Sequence, residues 1–194
     1  MARKAAVSAK IKDGWKRIAH WYEANVPKDQ FSLADGASAE DVAAAEEQLG
    51  LRFPPELAAS YRLHNGSRGR AVFLYGYPLL SLKEIVEQWG FWRKIIQDGA
   101  LGGEPECPEA IKKVWWNVRW IPFTHNGGGD HHCVDLDPAE SGTAGQVIQF
   151  NHEVGAHSVL GPDFGTFLSN FARDLEGGRY RFDEADLWVI DTKE

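Results

Sequence analysis

Cysteine and methionine are scarce in this 194-residue chain, at two copies and one. Cys107 and Cys133 form no framework of spacings, which excludes a disulfide scaffold and predicts two reduced thiols in a cytoplasmic protein. Long apolar runs are also missing. No stretch free of charge is longer than the twelve residues 71–82, which contain Gly76 and Pro78. Twelve residues are too few to span a bilayer, so no membrane partner is expected. The basic segment 1–17 is followed by no apolar stretch and does not read as a secretory leader. No CxxC or HExxH is present, and Gly66-Ser67-Arg68-Gly69 lacks the spacing of a nucleophile elbow. No pair of carboxylates stands out over the general acidity.

What is present is apolar and acidic. Hydrophobic residues make up 43%, and eight are tryptophan. That supports one core without staples, and a single domain over 1–194 is expected. The net charge is −7, unevenly spread. Residues 1–17 hold six bases against Asp13, and the remainder holds fifteen bases against twenty-seven acids, a net of −12. Such a body repels phosphate backbones, so nucleic acid is not an expected partner, whereas basic partners are favoured.

Periodicity gives the elements. Ile11, Trp15, Ile18 and Tyr22 form one stripe of a helix over roughly 5–25, ended by Pro27. Ser38 with Asp41 reads as a capping box for a second helix carrying Val42, Ala45 and Leu49, closed by Gly50. Pro54-Pro55 opens a third helix, which Asn65-Gly66 stops. Residues 71–80 are strand-like. Ser81 with Glu84 caps a fourth helix through Trp89 and Trp92, closed by Gly99. Residues 99–110 form a loop excursion. From residue 114 the period is two, with strands expected at 118–123, 131–136, 145–152 and 156–160 joined by short turns. A last helix carries Phe167, Leu168 and Phe171, and 180–190 adds one further strand. The predicted class is α+β: N-terminal helices packed on a mainly antiparallel meander, with a C-terminal helix.

The densest chemistry lies between His125 and Pro138. On a strand, His131, Cys133 and Asp135 share one face and His132 the other. His, Cys and Asp all ligate zinc, but same-face residues lie about 6.5–7 Å apart along a strand, so one ion reaches two of them comfortably and not four. The segment reads first as a glycine-rich hairpin with its polar side chains on the solvent face. Gly127, Gly128 and Gly129 serve the turn, because a tight connection needs positive φ. A metal-dependent hydrolase on His131, Cys133 and Asp135 is the alternative. No cofactor and no catalytic residue is assigned. Trp115 and Trp116 are adjacent, so one of them points outward as a candidate contact.

The stretches 15–18, 36–38, 46–54, 61–66 (Tyr-Arg-Leu-His-Asn-Gly), 79–85 (Leu-Leu-Ser-Leu-Lys-Glu-Ile), 120–123, 127–130, 134–138, 145–148 and 164–168 follow one another in order over roughly 12–176. Together they resemble the SUKH superfamily of fungal cell-wall-assembly regulators and bacterial immunity proteins. The resemblance departs at His125-Asn126, where an acidic residue is usual, and at Phe53, where leucine is common. It implies a non-enzymatic protein-binding domain. The expected role is an immunity protein that neutralises a cognate toxin of basic surface, a class that includes nucleases; the alternative is a scaffold or regulator without a toxin. The partner surface is expected to be acidic and drawn from Glu40, Asp41, Glu47, Glu104, Glu106, Glu109, Asp130 and Asp135, with Trp115 or Trp116 as anchor. The oligomeric state is left open.

Overall fold

The computed structural model describes residues 2–69, 75–99, 102–185 and 188–192. Helix α1 (Ala2–Asn25) leads into a short strand β1 (Ser32–Leu33), then α2 (Ala39–Leu49), α3 (Pro55–Tyr61) and β2 (Ser67–Arg68). Helix α4 (Leu82–Gln97) precedes four strands, β3 (Trp120–Pro122), β4 (His131–Asp135), β5 (Gln146–Asn151) and β6 (Gly155–Gly161). Helix α5 (Phe164–Glu176) and the strands β7 (Tyr180–Asp183) and β8 (Trp188–Asp191) complete the order. The α+β class follows directly. The central sheet is an antiparallel meander in the order β3-β4-β5-β6, and β1–β2 and β7–β8 are separate antiparallel pairs.

The two capping boxes close as their sequences require. The Ser38 side chain accepts from Asp41 N–H while Asp41 accepts from Ser38 N–H, and Ser81 and Glu84 repeat the exchange. Gly50 ends α2 at φ 67°, a left-handed position suited to glycine. The third helix stops four residues earlier than its sequence suggests. The Tyr61 carbonyl, which would continue the ladder, accepts instead from Ala37 N–H, and Arg62 Nη1 donates to the Ala37 carbonyl. Gly36 lies so close to the Arg62 carbonyl that a Cβ would meet it at 2.2 Å. The segment before α2 thus terminates α3.

Of the strand-like stretch 71–80, residues 71–74 lie outside the described residues, and Leu79 makes a single bridge to Thr124. The tail forms a two-stranded hairpin rather than one strand, with Tyr180 opposite Asp191.

The sheet lies between two helical layers. α1 packs on α5 at Gly14, where a Cβ would come within 3.0 Å of Leu168 Cδ2. Trp15 Nε1 donates to Ser60 Oγ at 2.9 Å and ties α1 to α3. On one sheet face α5 brings Phe164 and Phe167 against Phe123, and on the other α4 brings Trp92 against Phe150. β4 is central to this sandwich, and all five of its residues are buried. The expectation that its polar side chains face solvent is therefore corrected: helices cover both faces, so alternation along β4 separates two interiors rather than core from water.

Candidate functional site

The residues that invited a catalytic or metal reading are spent on structure. His131 Nδ1 lies 2.7 Å from the Thr124 carbonyl, and its Nε2 accepts from Trp92 Nε1 at 3.0 Å. These partners fix the neutral tautomer protonated at Nδ1. Its ring stacks on His125 at 4.7 Å and lies in an aromatic box with Trp92, Trp116 and Phe150. Burial lowers its pKa to about 4. His132 points to the other face. Thr124 Oγ1 accepts His132 N–H at 2.8 Å, leaving the hydroxyl hydrogen for Nδ1, 3.0 Å away. The ring stacks on Tyr77 at 4.5 Å, and burial pushes its pKa down to about 3.

Cys133 is fully buried, and burial raises its thiol well above the ordinary range, so the nucleophilic thiolate is disfavoured. Asp135 is buried too. Its carboxylate accepts from Gln146 Nε2 at 3.0 Å and from Asp137 N–H at 2.9 Å, while burial raises its pKa. Among the described residues no group of three His, Cys, Asp or Glu is arranged to hold a metal. The His131/Cys133/Asp135 hydrolase thus lacks both a ligand set and an activated nucleophile among them.

Asp130 is a buried staple between two turns. One oxygen accepts from His152 N–H at 2.9 Å and lies 2.7 Å from His152 Nδ1. The other accepts from Asn126 and Asn151. Burial alone would raise this carboxyl, but the His152 and Asn126 hydrogen bonds hold it below its ordinary value. Asp130 and Asp135 therefore do not contribute to an exposed acidic surface, which is a correction. The glycine requirement is also redistributed. Gly127 and Gly129 have φ of 85° and 111°, whereas Gly128 needs no positive φ. A Cβ on Gly129 would come within 3.1 Å of the His152 Cβ, while one on Gly128 meets only Asn126 at 3.5 Å.

The remaining acidic candidates are exposed. Glu40, Asp41 and Glu47 lie on α2, and Glu104, Glu106 and Glu109 lie in the loop after α4. Asp41 is held below its ordinary pKa by its Ser38 hydrogen bonds. Of the two tryptophans, Trp116 is in the core, stacked on Trp92 at 5.5 Å, and Trp115 is half-buried with Nε1 donating to the Gly103 carbonyl. Trp115 joins Glu104, Pro105, Val114 and Ile96 in lining a groove of about 270 Å³ between the end of α4 and the following loop. Ile96 and Val114 are 36% and 37% exposed there. Lys113 and Trp116 line it too, so the concavity gathers both tryptophans with one loop glutamate and one lysine; Glu40, Asp41, Glu47, Glu106 and Glu109 do not line it.

Two features had no signal in periodicity. Arg179 is held between Asp174 and Asp191 and lies over the Tyr75 and Tyr180 rings, latching the β7–β8 pair to α5. A cleft of about 760 Å³ opens beside it.

Comparison with known proteins adds the following. The profile of the SMI1 / KNR4 family (SUKH-1) matches residues 36–170. The chain is 29% identical over 198 residues to the cell wall biosynthesis/cell cycle regulator smi1 of Schizosaccharomyces pombe, covering 94% of this chain and 39% of that protein. It is 28% identical over 211 residues to the cell wall assembly regulator SMI1 of Saccharomyces cerevisiae, covering 89% and 42%. A shorter match, 38% identical over 73 residues, covers 38% of this chain and 15% of the mouse F-box only protein 3. The chain spans less than half the length of each of these relatives.

Proposed function

The chain belongs to the SMI1/KNR4 family (SUKH-1), and from that premise we propose that it is a non-enzymatic, protein-binding regulatory domain. The fungal relatives are named as regulators of cell wall assembly and biosynthesis, which favours the scaffold or regulator reading over toxin neutralisation. One observation carries the proposal. The polar side chains of β4 are buried and engaged in internal packing, while an anchor tryptophan and an exposed glutamate line an open apolar groove on the surface. Aromatic anchors in such grooves dominate protein interfaces, and charged rims speed encounter.

The test is site-specific photocrosslinking. With benzoyl-phenylalanine at position 115, the full chain expressed in its native cells is expected to crosslink to a discrete protein. The same probe at Glu23, on the exposed face of α1, is expected not to do so. Equal labelling from both positions would refute the groove as the contact. The immunity reading retains one specific support, the net charge of −7 with Glu104, Glu106 and Glu109 exposed in one loop. It is favoured only if the crosslinked partner is a toxin with a basic surface.

A further inference from the structure

Two Asn-Gly pairs occur in the chain, Asn65-Gly66 and Asn126-Gly127, and the fold treats them differently. A glycine that follows asparagine has no side chain to hinder its nitrogen as it approaches the asparagine amide carbon. Asn126-Gly127 lies in the turn from β3 to β4, where Asn126, Gly127 and Gly128 are all exposed. The Gly127 N–H has no hydrogen-bond partner among the described residues, so its nitrogen is uncommitted. The Asn126 side chain, by contrast, is fixed. Its Oδ1 accepts from Gly128 N–H at 2.8 Å and from Asp130 N–H at 3.0 Å. Its Nδ2 donates to Asp130 Oδ2 at 2.8 Å. Two backbone donors on one carbonyl oxygen are the arrangement that stabilises the oxyanion of a tetrahedral intermediate. We propose that Asn126 is a site of spontaneous deamidation, prepared by the folded turn, and that its conversion weakens the Asp130 staple.

Water is the only co-reactant. The Gly127 nitrogen forms a bond to Asn126 Cγ, the bond from Cγ to Nδ2 breaks, and ammonia leaves with the proton from Gly127. Water then opens the cyclic imide. Attack at Cγ gives aspartate, and attack at the main-chain carbonyl carbon of residue 126 gives isoaspartate, which inserts a methylene into the main chain. Either product adds a carboxylate. In the aspartate, an anionic oxygen replaces the Nδ2 donor at Asp130 Oδ2, so like charges meet at hydrogen-bond distance. Asp130 also joins this turn to the one between β5 and β6 through Asn151 and His152, so the repulsion acts on both connections. The same turn holds the His125 ring against His131, with His125 Nε2 accepting from Gly129 N–H at 3.2 Å.

Asn65 is the control built into the same chain. Gly66 is buried, its carbonyl accepts from Ala34 N–H, and a Cβ on it would come within 3.1 Å of the Ser81 nitrogen. The Asn65 N–H donates to the Asp35 carbonyl, and its Oδ1 accepts from Leu82 N–H at the start of α4. Clamped away from water, this pair reacts only when the region opens locally.

The experiment ages the full chain at neutral pH and body temperature, folded and in concentrated urea. Peptide mapping follows both sites by the mass change of an amide converted to an acid, and enzymatic methylation scores isoaspartate. In the folded chain, Asn126 is expected to convert at least as fast as it does in urea, and Asn65 about tenfold or more slower than Asn126. In urea the two rates are expected to converge, because only the dipeptide then matters. Asn126→Asp, which carries the aspartate product from synthesis, is expected to melt about 2–4 °C below the wild type, and the aged wild type to shift in the same direction. Three results would overturn the proposal. They are no conversion at Asn126 in the folded chain, conversion there that is slower than in urea, or Asn65 keeping pace with Asn126 before unfolding. An Asn126→Asp variant that melts with the wild type would overturn the weakening of the staple.

Discussion

Acidification from pH 7 to pH 5 is expected to weaken this protein through the adjacent histidines of β4. Unfolded, each titrates near 6.5. Folded, His131 falls to about 4 and His132 to about 3, in both cases chiefly because burial penalises the cation. Hydrogen bonding reinforces this, since His131 Nε2 must accept from Trp92. Both folded values lie below the unfolded one, so their neutral forms support the fold fully above pH 6.5 and lose that support as pH falls toward 4. At pH 5 an unfolded histidine is almost wholly protonated and a folded one almost wholly neutral, which removes about 2 kcal/mol per residue by linkage. The pair together removes about 4 kcal/mol, a large share of the roughly 5–15 kcal/mol typical of a domain. His64 and His125, also lowered mainly by burial, act in the same direction. Asp135, raised by burial, acts oppositely. Urea unfolding followed by tryptophan fluorescence at half-unit steps between pH 5 and 8 measures the effect. His132→Phe keeps a ring among Tyr77, Phe123 and Phe167 but cannot titrate. Its stability is expected to fall less steeply below pH 6, by about 1.4 kcal/mol per pH unit. A wild-type stability flat between pH 7 and 5, or identical slopes in both proteins, would show that the buried histidines do not set the acid sensitivity.

Further expectations concern single positions. Gly129→Ala forces an alanine to φ 111° against His152 and is expected to cost about 1–3 kcal/mol in urea melts, while Gly128→Ala stays within about 0.5 kcal/mol. Trp116 buries an indole N–H that has no hydrogen-bond partner among the described residues, so Trp116→Phe is expected to be neutral or stabilising by up to about 1 kcal/mol. Trp92→Phe, by contrast, strips His131 Nε2 of its donor and is expected to cost about 1–3 kcal/mol; equal effects in thermal melts would contradict this contrast. Ser38→Ala and Ser81→Ala each remove a cap and are expected to cost about 1 kcal/mol, additively because the caps serve different helices.

The helices were legible because their signals are local. A capping box is four residues long, and the α1 stripe of Ile11, Trp15, Ile18 and Tyr22 is buried as its spacing requires. The meander was legible in outline, since every end of the four strands falls within two residues of its expected position. The environment of β4 was not. His-His-Cys-Val-Asp carries three ionisable types in five positions, and a polar pattern normally marks a solvated face. What inverted it is non-local: Trp92 from α4 and Thr124 after β3 supply the partners that make burial tolerable. Asp130 and Asp135 were misplaced for the same reason. The adjacent tryptophans were separable in principle but not by name, because only the packing of Trp92 and Phe150 decides that Trp116 turns inward. The Arg179 latch joins the tail to Tyr75 across a hundred residues, and no spacing rule reaches that far.

The proposed protein contact lies at the Trp115 groove and the acidic loop beside it. The direct measurement is binding kinetics, across a salt series, with the partner crosslinked at position 115. Charge reversal at Glu104, Glu106 and Glu109 is expected to slow association and flatten its salt dependence, because long-range attraction is screened over about 8–10 Å. Trp115→Ala is expected to leave association nearly unchanged and to speed dissociation about tenfold or more, as loss of an anchor does. Association indifferent to both salt and charge reversal, with dissociation indifferent to Trp115→Ala, would rule out this groove and loop as the contact surface.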